Sequence, residues 1–264
     1  MDLELENKVA WVVGASSGLG LASARSLARE GATLAISARR FEELRKQAKD
    51  IEKETGSRCL PVELDVAHPS GIEEAGRTVI DELGGIDICV SNSGGPSPGT
   101  FEDLDQDQLR AALDLTLASA WRLAKVATAS MRARGGGTIV FITSGSAKEP
   151  IGNLLLSNVL RPAVTGLAKT LSKELGPHGI RTLCVAPGRI ETDRVLALDR
   201  LSADRSGRTA EEVAEASRSG IPLGRYGDPG EFGDVVAFVA SERASYMTGS
   251  TVVVDGGALH GLLT

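Results

Sequence analysis

The chain has 264 residues, and its 29 Lys and Arg against 35 Asp and Glu leave a formal charge of -6. That balance gives no reason to expect nucleic acid or an anionic membrane as a partner. Hydrophobic residues make up 42% of the chain but aromatics only 3%, which points to an aliphatic core of the kind formed where helices cover both faces of a sheet.

From the N-terminus, Met1-Asp2-Leu3-Glu4 runs into the first strand with no basic segment or apolar leader, and no later apolar stretch approaches the length that spans a bilayer. A cytoplasmic protein is expected. Residues Val9 to Gly20 then read V-A-W-V-V-G-A-S-S-G-L-G, an apolar run that breaks into glycines before a helical period at Leu19, Ala22, Leu27 and Ala28. Gly14 suits a tight turn, Gly18 leaves room for the main chain to approach a pyrophosphate, and Gly20 allows close packing of helix on strand. The helix that follows offers unpaired N–H groups and a positive dipole end to an anion. A purely structural turn produces the same triplet, so the rest of the chain has to decide.

Strand-like runs recur at 8–13, 33–37, 59–64, 86–91, 137–143, 180–185 and 251–254, and helix-period segments fill 19–30, 41–55, 70–83, 105–133, 157–175 and 229–241. This alternation predicts one α/β domain over 1–264, built on a seven-stranded, doubly wound parallel sheet with helices on both faces. Ligands on such sheets bind at the carboxyl ends of the strands. The glycine turn, Asp65, Asn92-Ser93-Gly94, Ser144 and Pro187-Gly188 all fall at those ends. Gly94 to Gly99 (G-G-P-S-P-G) reads as a loop lining the crevice. Residues 189–220 form a charged, Ala-rich excursion, either a lid or a solvated pair of surface helices. Cys59, Cys89 and Cys184 lie on apolar strand patterns, and His68, His178 and His260 show no ligand spacing. No metal is expected.

The spacing Gly14-x-x-x-Gly18-x-Gly20 resembles that of short-chain dehydrogenases/reductases. The resemblance extends in order through Leu64-Asp65-Val66, Ser91-Asn92-Ser93-Gly94, Ile139 to Ser144, Pro187-Gly188 with Thr192 and Asp193, Pro222 to Gly227, Thr248-Gly249 and Val254-Asp255-Gly256-Gly257. It implies a Rossmann-like fold and a nicotinamide cofactor held by Gly14, Ser16, Ser17, Gly18 and Leu19. Asp65 and Val66 would serve the adenine end, Asn92, Ser93 and Gly94 the middle, and Pro187, Gly188, Ile190 and Thr192 the nicotinamide end. It further implies a mobile substrate lid at 189–220 and a homo-oligomer, a tetramer rather than a dimer, acting on a small-molecule substrate. At the end of the second strand Ala38 stands where an NAD-preferring member carries Asp, and Arg39 and Arg40 follow. Arginines attract and grip a 2′-phosphate, so NADP(H) is favoured over NAD(H), against the alternative that the pair only solvates the surface.

The resemblance is weakest at the catalytic positions. The family uses Ser, Tyr, Lys and Asn. Here Ser144 keeps the serine position, but the Tyr position falls on Ser157, the Lys position on Arg161 and the Asn position on Thr116, within helix 105–133. A serine hydroxyl is far less acidic than a phenol, and arginine stays protonated, so it holds ribose, phosphate or an oxyanion without relaying a proton. Ser157 and Arg161 share a helix face at i, i+4. Pro162 disfavours helical angles at Arg161 and removes a bond to Asn158. The helix is therefore expected either to kink there or to begin at Pro162, and both re-aim Arg161. The combination looks like the divergent β-ketoacyl-reductase-like branch of the family. Three functions remain open: an NADP(H)-dependent carbonyl reductase or alcohol dehydrogenase using Ser144, Ser157 and Arg161, a non-redox enzyme for elimination, isomerisation or cyclisation, and an inactive NADP(H)-binding sensor.

Overall fold

The computed structural model describes residues 1–262. Its strands are β1 (Val9–Val13), β2 (Thr33–Ala38), β3 (Cys59–Glu63), β4 (Ile88–Ser91), β5 (Gly137–Ile142), β6 (Ile180–Pro187) and β7 (Thr251–Val254). They form one sheet in the order β3-β2-β1-β4-β5-β6-β7, every pair parallel. The order reverses direction between β1 and β4, and an open α/β sheet has its crevice at such a point.

Alternate residues of each strand feed two aliphatic cores. Ala10 and Val12 pack with Leu27 of α1 (Gly18–Arg29), Leu44 of α2 (Phe41–Thr55) and Val236 of the last helix, Pro229–Ala240. Trp11 and Val13 pack on the opposite face with Val79 of α3 (Pro69–Leu83), Leu123 of Ser119–Ala133 and Val164 of Leu155–Leu175. Trp11 is fully buried and its indole Nε1 donates to Ser37 Oγ at 2.9 Å, so the polar edge of the largest core side chain is satisfied. The three cysteines are free and buried, as the strand patterns imply.

Two segments differ from the sequence expectation, and a third, 189–220, forms the pair of helices that is one of its two expected readings. The span 105–133 is not one α-helix. It divides into α4 (Gln106–Leu113), a π-helical turn at Asp114–Ala118, and α5 (Ser119–Ala133). The π turn sets an extra residue into the ladder at Thr116, where Ser119 N bonds to Asp114 O and Ser119 Oγ donates to Leu115 O at 2.6 Å. The helix α6 (Leu155–Leu175) begins well before Pro162 and runs through it, with Arg161 still helical. It therefore does not start at Pro162, and the expected departure of Arg161 from helical angles is corrected. Neighbouring bonds compensate for the donor that Pro162 lacks: Asn158 clamps the Ile151 main chain from both sides at 3.0 and 2.9 Å, and Thr165 Oγ1 donates to Arg161 O at 3.1 Å. The excursion after β6 forms α7 (Asp193–Ser206) and α8 (Ala210–Ser219). Arg189 and Tyr226 both bond the buried Asp199, and the Ile190–Gly227 bridge closes the base of the excursion.

Helix α9 (Pro229–Ala240) crosses α1 closely because Gly233 carries no side chain. A Cβ there would lie 2.5 Å from Ala22 O and 2.7 Å from Ser26 Oγ. Gly233→Ala is expected to separate the two helices and lower stability by about 1–3 kcal/mol, read as a lower urea midpoint at unchanged slope.

Candidate functional site

The glycine turn between β1 and α1 is a crowded junction. Gly14 has φ +68°, and its carbonyl accepts from Asn92 Nδ2 at 3.2 Å across the β1/β4 switch. A Cβ on Gly20 would sit 2.2 Å from that same carbonyl oxygen, so only glycine lets the helix start here. Gly18 has φ +57°, and a Cβ on it would face the Thr192 methyl at 3.6 Å. The turn and the segment after β6 therefore oppose each other across the crevice. Ser17, at the N-cap of α1, makes no side-chain bond to the helix, and Ser16 beside it is buried.

Arg40 reaches back over this turn. Its Nη2 donates to Ser16 Oγ at 3.2 Å and Ser17 Oγ at 3.1 Å, while Nη1 meets Glu43 at 2.8 Å. Arg39 beside it is exposed. Asp65 and Val66 follow β3, with Asp65 Oδ1 accepting from Ala67 N at 3.0 Å and Val66 buried. Gly188 packs on Asp255, and Ile190 is buried against Gly227. Ser93 and Gly94 open the loop after β4, which is tied down at Gly99 by bonds with Asn153 and Leu155. The geometry fits a dinucleotide: a cradle closed to any Cβ, a helix N-terminus, and two arginines at the β2 end.

The second half of the crevice lies over β4, β5 and β6. Ser144 ends β5 as the cap of a short 3₁₀ turn (Gly145–Ala147), its Oγ accepting from Ser146 N at 3.1 Å. Its O–H is left to donate. Ser157 is buried in the first turn of α6, and its hydroxyl pairs with Ser146 Oγ at 2.9 Å. Arg161, one turn on, is 7% exposed. Its Nη1 donates to Ile142 O at 3.0 Å, whereas its buried Nε has no partner. Burial, with the charge of Arg194 nearby, pulls the Arg161 guanidinium down to about 10, still protonated at neutral pH. Thr116, at the π turn, is buried with its hydroxyl unpartnered.

No tyrosine enters this half from elsewhere. Tyr226 donates to Asp199 Oδ2 at 2.8 Å and Tyr246 is fully exposed. Two residues escaped sequence reasoning. Ser146 holds both predicted serines, and its only signal was its place two residues after Ser144. Arg194, in the first turn of α7, bonds Pro96 O at 3.0 Å and packs on Gly95, a contact that no local pattern announces.

Comparison with known proteins agrees with this geometry. Residues 14–259 match the family model described as Enoyl-(Acyl carrier protein) reductase. Human dehydrogenase/reductase SDR family member 4 is 35% identical over 259 residues, covering 96% of this chain and 88% of the relative. The structure of L-sorbose reductase from Gluconobacter frateurii, complexed with NADPH and L-sorbose, superposes with a TM-score of 0.94 at 34% identity, covering 99% of this chain and all of that one. A 7α-hydroxysteroid dehydrogenase complexed with NADH superposes with a TM-score of 0.88 at 27% identity, covering 99% of this chain and 98% of that one. With the parallel sheet, the glycine junction and these relatives together, the chain belongs to the short-chain dehydrogenase/reductase family and is an oxidoreductase of that type.

Proposed function

We propose that the protein is an NADP(H)-dependent reductase or dehydrogenase acting on a carbonyl/alcohol pair through a site without the family's tyrosine and lysine. The observation that carries this reading is the pairing, in one crevice, of a Cβ-free cradle capped by Arg40 with the Ser144 hydroxyl at the end of β5.

Gly14 to Leu19 would hold the pyrophosphate, Arg39, Arg40 and Ser16 the 2′-phosphate, Asp65 and Val66 the adenine, Asn92 to Gly94 the central ribose, and Pro187, Gly188, Ile190 and Thr192 the nicotinamide end. The bound cofactor supplies or accepts a hydride. Ser144 donates its free O–H to the substrate oxygen, where negative charge develops in reduction. Arg161 adds a fixed positive charge beside it. Ser157 assists indirectly, because its hydroxyl is turned to Ser146, and Ser146 orients Ser144. With no phenol at hand and Arg161 permanently charged, the proton comes from water. The excursion 189–220 acts as the substrate lid, anchored at its base by Arg189, Asp199 and Tyr226. The absence of a helix among the described residues long and apolar enough to cross a membrane is compatible with a cytoplasmic location.

Cofactor choice tests the β2 end. Arg39→Asp replaces attraction with repulsion and is expected to weaken NADPH at least about tenfold while leaving NADH unchanged or tighter, measured by calorimetry; equal losses for both would reject the assignment. Catalysis tests Ser144. Ser144→Ala should lower kcat by about a hundredfold with cofactor affinity retained, followed by NADPH absorbance across a panel of carbonyl compounds.

Assembly is proposed as a tetramer. Trp121 of α5 and Val159 of α6 are 53% and 55% exposed, and Leu113 of α4 is 43% exposed, an apolar face suited to helix packing between copies. Light scattering should give four times the 27.5 kDa chain mass, and Trp121→Glu should shift it to a smaller species.

A further inference from the structure

We infer that Arg161 and Arg194 together form the seat for an oxyanion carried by the substrate, a carboxylate or a phosphate monoester, so that the enzyme acts on charged oxo or hydroxy compounds in preference to neutral ones. This rests on the oxidoreductase reading above and names its substrate class.

The two arginines come from separate elements and are fixed beside the ends of neighbouring strands, β5 and β4. Arg161 rises from α6 and is fixed by Nη1 to Ile142 O at the end of β5. Arg194 comes from the start of α7 and is fixed by Nη2 to Pro96 O in the loop after β4. Each bond is to a neutral carbonyl. Among the described residues neither guanidinium makes a salt bridge, whereas Arg40, Arg134, Arg189 and Arg225 each meet an acid. Arg161 is more than nine-tenths buried and its Nε has no partner. Burial lowers both groups, and the charge of Arg194 lowers Arg161 further, the signature of like charges held in a partly dry space. Such an arrangement is costly unless an anion completes it. Two forked donors suit a carboxylate or phosphate oxygen pair.

The cofactor's own phosphates do not serve as this anion. The glycine cradle and the Arg39–Arg40 pair lie at the ends of β1 and β2, on the other side of the β1/β4 switch, whereas Arg161 is fixed at the end of β5, two residues before Ser144, and Arg194 at the loop after β4. An anion seated there would hold the substrate by one end and leave its carbonyl to Ser144.

The test compares matched pairs in the NADPH-loaded protein: 4-oxopentanoate against 4-oxopentanamide, and dihydroxyacetone phosphate against dihydroxyacetone. Binding is read by ligand-observed NMR and turnover by NADPH absorbance. At least one charged member should bind about tenfold tighter or better than its neutral partner, and the pair that shows the preference distinguishes carboxylate from phosphate. Arg194→Gln should abolish that preference, raising KM for the charged compound more than it lowers kcat, and Arg194→Lys should restore part of it. Equal binding of both members, or a preference that survives Arg194→Gln, overturns the inference. Charge preference without hydride transfer supports the seat and overturns the redox reading, while reduction of neutral carbonyls without charge preference does the reverse.

Discussion

The carbonyl oxygen of Gly14 is the point around which the rest of the site is arranged. Three segments converge on that peptide unit: Gly20 at the start of α1 comes so close that a Cβ would sit 2.2 Å from the oxygen, Asn92 of the loop after β4 donates to it, and the Gly14 N–H donates to Ser37 O at 2.7 Å. Because Gly14, Gly20 and Asn92 interlock there, the first turn of α1 faces the ends of β1 and β4 at a fixed distance. The helix dipole then points at the same gap that the reversal of strand order leaves open. Every other functional group enters that gap from a strand end whose position follows from the parallel register.

The charge in the crevice runs against that of the whole chain. The protein carries a formal charge of -6, yet arginines stand at both ends of its cleft, Arg39 and Arg40 beyond β2, and Arg161 and Arg194 over β4 and β5. The acids are spent elsewhere. Glu43 partners Arg40, Glu231 partners Arg225, and Asp199 is buried with Arg189 and Tyr226. At the Arg225–Glu231 pair the arginine holds the Glu231 carboxyl down to about 2. Within the cleft, Arg40 meets Glu43 and the Ser16 and Ser17 hydroxyls, whereas Arg161 and Arg194 bond only neutral main-chain oxygens.

On the assignment proposed above, with Ser157 and Arg161 in the family's tyrosine and lysine positions, the protein groups play different parts. A phenol beside an amine transfers a proton; a serine bonded to a second serine, beside a guanidinium, orients and stabilises without transferring one. Hydrogen bonds link Ser157 through Ser146 to Ser144, and on that assignment Ser157 supports the group that meets the substrate. The proline at 162 fits the same picture. The helix runs through it, and the Asn158 clamp on Ile151 holds its first turn against the loop that carries Ser144 and Ser146.

The fold was legible because its signals are local and repetitive. Alternation of apolar strands with helix-period segments forces a parallel sheet, and the strand runs found by pattern match β1 to β7 within about two residues at each end. The glycine junction was legible because backbone angles and steric room at Gly14 and Gly20 admit one residue type. The π turn at Thr116 was not legible, since the apolar period runs through it and nothing in the local pattern marks the shift of the Ser119 bond to Asp114 O. Nor was the choice between a helix that runs through Pro162 and one that begins there, because local propensity leaves both open and Asn158 binds Ile151 outside the helix.

The sequence by itself determined the architecture and the order of strand ends that line the crevice, because periodicity and motif order are written in neighbouring residues. Only the tertiary structure decided how the residues there face one another. The Ser146 bridge between Ser144 and Ser157, the unpartnered Nε of Arg161 and the arrival of Arg194 from α7 depend on contacts between segments far apart in the chain. The physical reason is that hydrogen bonds and like-charge contacts fall off within a few ångströms, and which groups come that close is set by packing rather than by spacing along the chain.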